Sequence, residues 1–309
     1  MHRLHPIALA VLLAAATNLY AENGVELEQL GDTNSIAVDQ TGLFNQVVVS
    51  QTGIGNDVAI YQGEIAESNT AEVEQYGDGN SASVYQAQES YFSSVAIYQQ
   101  GTGNRAEVEQ TWRTNDLQIS SIGDDNFVSA TQTGYVGAEV AQLGNGNRLT
   151  FVQTGSYMGS TLAVYQVGDD NLANIQQDDG NGLQLTQTGA TNMAQIQQIG
   201  YHNELDSSQT GNDNQLTVEQ SGRAHTIEAS SAGNGNRIDI AQAFEGNEAA
   251  VLQNGSGNIA SIDQTAAYNE AAISQIGAAN QASILQAVEG MSAIIQQSGS
   301  SNMATISQP

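Results

Sequence analysis

Along most of this chain, apolar residues come in pairs one residue apart: Ile36 and Val38, Val58 and Ile60, Leu149 and Phe151, Ile238 and Ile240. Alternation with period two is the pattern of a strand with one buried side. No stripe with the 3.6-residue period of a helix survives beside it. Each pair sits in a longer phrase, Gln-x-Gly-x-x-Asn-x-apolar-x-apolar-x-Gln, of which thirteen copies lie between Gln29 and Gln308, about one every 22 residues, two of them with Ser as the leading residue. Both apolar positions are filled in all thirteen copies. A fixed period of that size is the mark of stacked copies of one supersecondary unit.

The stretch from the closing Gln to the next leading Gln alternates in the same way. Its pairs include Val47/Val49, Leu117/Ile119, Leu183/Leu185 and Ile227/Ala229, and Ser207 is the one polar member among 24 positions. One repeat therefore holds two strands and two turns. The expected fold is all-β: a β-solenoid of about thirteen two-strand coils of ~22 residues over 29–309, with cross-β stacking of coil on coil.

Length separates the two turns. Every Gln-x-Gly-x-x-Asn half spans 11 residues from Gln to Gln, whereas the other half runs to 13 from Gln62 to Gln75 and shrinks to 10 from Gln132 to Gln142. The first turn is thus expected to be geometry-limited, with Gly31, Gly53, Gly77, Gly211, Gly233, Gly255, Gly277 and Gly299 supplying a backbone a Cβ would penalise and Asn tolerating the left-handed region. The second turn is expected to be permissive. From Gln187 onward every interval is 11, so that part should be the most regular.

Stacking in register places like over like at the ~4.8 Å spacing of paired strands. The leading column then contains Gln29, Gln51, Gln75, Gln187, Gln209, Gln253, Gln275 and Gln297. The closing column contains Gln40, Gln62, Gln86, Gln198, Gln220, Gln242, Gln264, Gln286 and Gln308. Beside them stand Asn34, Asn56, Asn80, Asn214, Asn236, Asn258, Asn280 and Asn302. An amide both donates and accepts, so an inward column of Gln or Asn satisfies itself where a lone amide would be costly. Ser121 and Ser231 interrupt the leading column, and a hydroxyl is still able to donate and accept.

Residues 1–21 differ from the rest: Arg3 and two histidines precede an apolar run from Ile7 to Ala16, which is expected to be a secretory signal cleaved before Glu22. A short segment, 22–28, then leads into the repeats. Without the signal, five arginines face 33 acidic residues, a formal charge of 5 − 33 = −28. So acidic a chain is not expected to bind nucleic acid, whose phosphates require a basic surface. With no cysteine there is no disulfide framework, and no proline falls within 22–308 to interrupt a sheet ladder. Neither catalytic residues, a metal site nor a cofactor is expected. His202 and His225 fall at different repeat positions, and His225 replaces a ladder Asn. Acidic turns such as Gly123-Asp124-Asp125-Asn126 read as solvated charge, since the Gly-Gly-x-Gly-x-Asp phrase of calcium β-rolls is absent. Trp112 takes the place of a second-turn Gly, and no role follows from that.

Taken together, Gln-x-Gly-x-x-Asn, the closing Gln, and Ala at Ala82, Ala106, Ala173, Ala194, Ala260, Ala282 and Ala304 resemble the curlin repeat, the unit of the secreted bacterial amyloid fibres called curli. The resemblance covers nearly all of 29–308, although the Ser that precedes the family's Gln survives only at Ser93 and Ser160 and is mostly Asn here. It implies a non-enzymatic fibre subunit in an adhesive or biofilm matrix, exported through the periplasm and an outer-membrane secretion channel. It also implies assembly with copies of itself and with related curli subunits or a nucleator. The family carries a short segment for the secretion channel where Glu22–Glu28 lies, but these residues show no motif. End-to-end polymerisation is expected as well, because the repeat starts within eight residues of Glu22 and Gln308 is the penultimate residue. The alternative is a monomeric secreted solenoid that binds ice or a polysaccharide on a flat face; Thr41, Thr52, Thr133, Thr154, Thr188 and Thr210 are too irregularly placed for an ice-binding column.

Overall fold

Period-two alternation becomes strands at every repeat. The computed structural model describes residues 23–309, apart from Glu64; the expected secretory signal lies outside the described residues. The chain forms two compact units, one ending at Gly134 and the other spanning Tyr135–Pro309. Each is a β-solenoid without helix among the described residues. Of the thirteen repeats, five begin in the first unit, led by Gln29, Gln51, Gln75, Gln99 and Ser121, and eight in the second.

In the first unit, Gly24–Asp32 pairs in parallel with Gln46–Ile54, which pairs with Thr70–Asp78, and so on to Asn115–Ile122. A second stack runs Ser35–Gln40, Asp57–Gln62, Ser81–Tyr91, Arg105–Arg113 and on to Phe127. The strand starting at Gly24 takes in most of the expected 22–28 segment, pairing Gly24 with Gln46 and Glu28 with Ser50. Gln29 is therefore no structural boundary.

The second unit repeats the arrangement. Its long strand Arg148–Asp169 turns a corner, so Arg148–Gln153 pairs with Leu172–Gln177 while Thr161–Asp169 pairs with Gly182–Ala190. From there every coil is in register up to the pairing of Gln281–Gln286 with Met303–Gln308.

Alternation sends one set of side chains inward, and within a coil Ile238, Ile240, Ala249 and Val251 are 2, 3, 4 and 3 % exposed. Burying an Ile or Val contributes roughly 1.5–3 kcal/mol, so each coil is held chiefly by the apolar pairs the repeat conserves. In the first described coil of the first unit and the last coil of the second, the equivalent residues Ile36, Val38, Ala304 and Ile306 are only half-buried.

The first turn departs from expectation in one respect. Its left-handed residue is the one before the Asn, as at Gly55 (φ 68°), Asp125 (55°), Thr191 (57°) and Ala279 (54°), and not the Asn itself. Asn is selected there for its side chain.

Candidate functional site

Two glutamine columns run through the interior of each unit. In the first unit, Gln40, Gln62, Gln86, Gln110 and Gln132 are joined by Nε2–H···Oε1 bonds of 2.8, 2.7, 2.8 and 2.9 Å. In the second, Gln153, Gln177, Gln198, Gln220, Gln242, Gln264, Gln286 and Gln308 form an unbroken series at 2.8–3.1 Å. The leading column joins Gln29, Gln51, Gln75 and Gln99 in the first unit, and Gln142, Gln166, Gln187 and Gln209 in the second. It resumes from Gln253 through Gln275 to Gln297, at 2.9 Å for each step.

Most of these glutamines use the second amide hydrogen on a backbone carbonyl of the strand before, sixteen residues earlier in Gln51 to Ser35 (3.0 Å), Gln253 to Arg237 (2.9 Å) and Gln264 to Glu248 (3.0 Å), and eighteen earlier in Gln75 to Asp57 and Gln99 to Ser81. The columns are directional, because every donor points to the coil that follows in sequence. Gln297 and Gln308 donate to Gln281 O and Ser292 O, and their remaining amide hydrogens meet no acceptor among the described residues. In the first unit the Oε1 atoms of Gln29 and Gln40 likewise receive no donor among the described residues.

The leading column fails at Ser231. Its hydroxyl turns aside to donate to Asn214 Oδ1 at 3.2 Å, and Gln253 Oε1 is left buried with no partner. Serine still donates at this position but does not bridge the column, because Oγ is too short to reach both neighbours. Apart from Gln253 Oε1, one other buried side-chain atom, Asn115 Oδ1, lacks a partner among the described residues.

Asparagine ties turn to turn. Asn236 Oδ1 accepts the backbone N–H of Asn258 at 3.0 Å, while its Nδ2 donates to Gly255 O at 2.9 Å. Asn34, Asn56, Asn80, Asn214, Asn258 and Asn280 repeat this scheme, and Asn302 Oδ1 accepts no such bond among the described residues. The turn glycines are packed as tightly as atoms allow: a Cβ on Gly31, Gly53, Gly211, Gly233, Gly255 or Gly277 would lie 1.8–2.0 Å from the next coil's carbonyl oxygen. Gly77 is similar at 2.1 Å, whereas Gly299, in the outermost coil, would meet nothing closer than Asn302 Nδ2 at 3.5 Å.

The second turn is less permissive than its lengths suggest. Where it keeps the regular spacing, Gly200 and Gly222 make the same close approach, 1.9 and 2.0 Å. Where glycine is lost, Trp112 and Phe244 take left-handed backbone at φ 69° and 74°, and both rings remain exposed. Phe44 and Phe92 also have positive φ (58° and 57°) at these tips.

His225 occupies an asparagine position and performs its hydrogen bonding. Nδ1 accepts the backbone N–H of Asn247 at 3.2 Å, so the proton resides on Nε2, which donates to Ser221 O at 3.2 Å. Burial pushes its pKa down, partly offset by the bond to Ser221. The acidic turns have backbone partners too: Asp78, Asp124 and Asp169 accept the N–H of Ile54, Thr102 and Asn145 at 2.9–3.1 Å.

Amide columns, asparagine bonds between turns and close-packed glycines hold the coils of each unit together. A family model described as the curlin associated repeat matches the chain three times, over residues 66–88, 211–243 and 233–265. No curated protein matches the chain.

Proposed function

We infer that this chain, which belongs to the curlin-repeat family, is a structural subunit of an extracellular curli-type fibre that grows by stacking copies coil on coil. The family and the solenoid fold are structural rather than catalytic. The observation that carries the reading is the state of the outermost described coils. Inward Ile36, Val38, Ala304 and Ile306 are half-exposed, and the amide columns reach these coils with donors unspent at Gln297 and Gln308 and acceptors unspent at Gln29 and Gln40. Unspent donors in the second unit and unspent acceptors in the first are complementary between two copies and suit head-to-tail addition, and an exposed strand edge is a template for a further strand. Export through an outer-membrane channel and association with related subunits or a nucleator belong to the same reading and rest on the resemblance.

Opposing assembly is the charge of 5 − 33 = −28, carried on outward positions. The experiment is electron microscopy and thioflavin fluorescence of purified 22–309. Fibres with a cross-β repeat of ~4.8 Å are expected, forming sooner near the pI of about 4.1 or in added salt than in dilute buffer at pH 7. A chain that remains monomeric for days under all these conditions overturns the reading.

A further inference from the structure

Tyrosine is concentrated on the outer surface of the first unit, with five of the chain's 11 between Tyr61 and Tyr98. Tyr61 is the last outward residue of Asp57–Gln62, and Tyr85 holds the same place one coil later in Ser81–Tyr91. The parallel register makes them direct partners. Their rings stack with centroids 5.2 Å apart and planes 13° from parallel. Tyr76 and Tyr98 form a second, diagonal pair at 5.8 Å and 45°. Stacking by itself is served as well by phenylalanine, and the chain's lack of cysteine denies these coils the disulfides open to exported proteins.

We propose that Tyr61 and Tyr85 are a site of oxidative coupling, at which hydrogen peroxide acting through a haem peroxidase joins the two phenols into a dityrosine that bridges neighbouring coils. Each phenol gives up one proton and one electron to become a tyrosyl radical. Unpaired spin is high on the ring carbons next to C–O, and a carbon–carbon bond forms between one Cε of each ring. The hydrogens on those two carbons then move to the phenolic oxygens, restoring both aromatic rings. Two protons and two electrons have left the pair, and one hydrogen peroxide takes them up to become two waters.

The geometry favours this pair because radical coupling requires a second phenol already in contact, and holding two reactants together replaces a bimolecular encounter. Both rings are half-buried on the outer face and open to a small oxidant, and forming the bond requires them to swing from stacked to edge to edge, a side-chain motion that is fast beside the radical's encounter with a distant phenol. The bridge would lie beside the 13-residue second half from Gln62 to Gln75, where the repeat departs from its regular length. There it would tie the coil before that turn to the coil after it.

The test treats dilute, monomeric 22–309 with a haem peroxidase and hydrogen peroxide, digests it with a glutamyl endopeptidase that cuts at Glu67, Glu72 and Glu74, and maps linked peptides lighter by two hydrogens. The expected result is that the Tyr61–Tyr85 link dominates the intramolecular products and that Tyr61→Phe lowers dityrosine fluorescence by about fivefold. Tyr268→Phe, at an exposed turn with no tyrosine ring against it among the described residues, should leave the fluorescence unchanged. Should Tyr61→Phe fail to fold, the map of the unaltered chain decides alone. Links spread across tyrosines according to exposure, a map dominated by another pair, or the same map from chain unfolded in guanidinium would each overturn the proposal.

Discussion

Ser231→Gln is expected to stabilise the second unit by completing the one column its sequence breaks. In the native protein Gln253 Oε1 is buried without a partner, and Ser231 Oγ bonds sideways to Asn214. An orphaned buried carbonyl costs ~1–3 kcal/mol, and an added amide–amide bond contributes ~0.5–1.5 kcal/mol net. A new glutamine would accept from Gln209 and donate to Gln253, at a cost of ~1.5–2 kcal/mol in frozen rotamers. Asn214 Oδ1 would not be orphaned by the change, since it also accepts the backbone N–H of Asn236 at 3.1 Å. The balance is a gain of ~1–2 kcal/mol, or about 5–30-fold in a local opening equilibrium. Because a stacked-coil protein need not unfold in one step, the fitting assay is hydrogen exchange at pH 7 and low salt. Amides of Thr226–Asn234 and Glu248–Ser256 should exchange more slowly by that factor. Ser231→Leu, which fills similar space without an amide, is the control. If glutamine protects these strands no better than leucine, the column is not what stabilises them.

Gly255→Ala should cost more than ~3 kcal/mol or prevent folding, because its Cβ would lie 1.8 Å from Gly277 O and φ at 132° adds strain. Gly299→Ala meets no such atom and should cost only the ~1–2 kcal/mol of backbone strain, so equal losses in thermal melts would refute the steric argument. The buried His225 has its pKa lowered in the folded state, chiefly by desolvation, so the unfolded chain binds the proton more tightly. Its contribution to stability is complete above the ordinary value of about 6.5 and declines as pH falls through it. His225→Asn should remove that decline, and since Asn203, Ser221 and Asn247 around it are uncharged, identical pH profiles of exchange in the two proteins would contradict the assignment. Two residues inserted after Gly233 should disrupt folding far more than two inserted after Gln242, where the turn already tolerates Phe244 in place of glycine; equal protease resistance would refute the difference between the turns.

Most of the architecture was legible in the order of residues because its signals are local and repeated. Alternation shows which side of a strand faces inward, and constancy of the 11-residue half identifies the turn that cannot change length. The columns of Gln and Asn follow once coils stack in register. Ser207 illustrates the strength of the pattern: it is the polar exception in an apolar position, and it is buried all the same, donating to Gln184 O at 3.3 Å. The same logic placed His225 in a ladder, although not the ring nitrogen that would accept.

What the sequence determined by itself was the solenoid, its two kinds of turn and the inward set of residues, since each depends on one repeat and its period. Tertiary structure alone decided the direction of the amide columns, the sideways bond of Ser231 that strands Gln253 Oε1, and the transfer of left-handed backbone to the residue before Asn. It also decided the diagonal meeting of Tyr76 with Tyr98, residues that are not register partners. The physical reason is that an amide or hydroxyl has several partners of nearly equal energy within reach, and only the distances between atoms of neighbouring coils select among them.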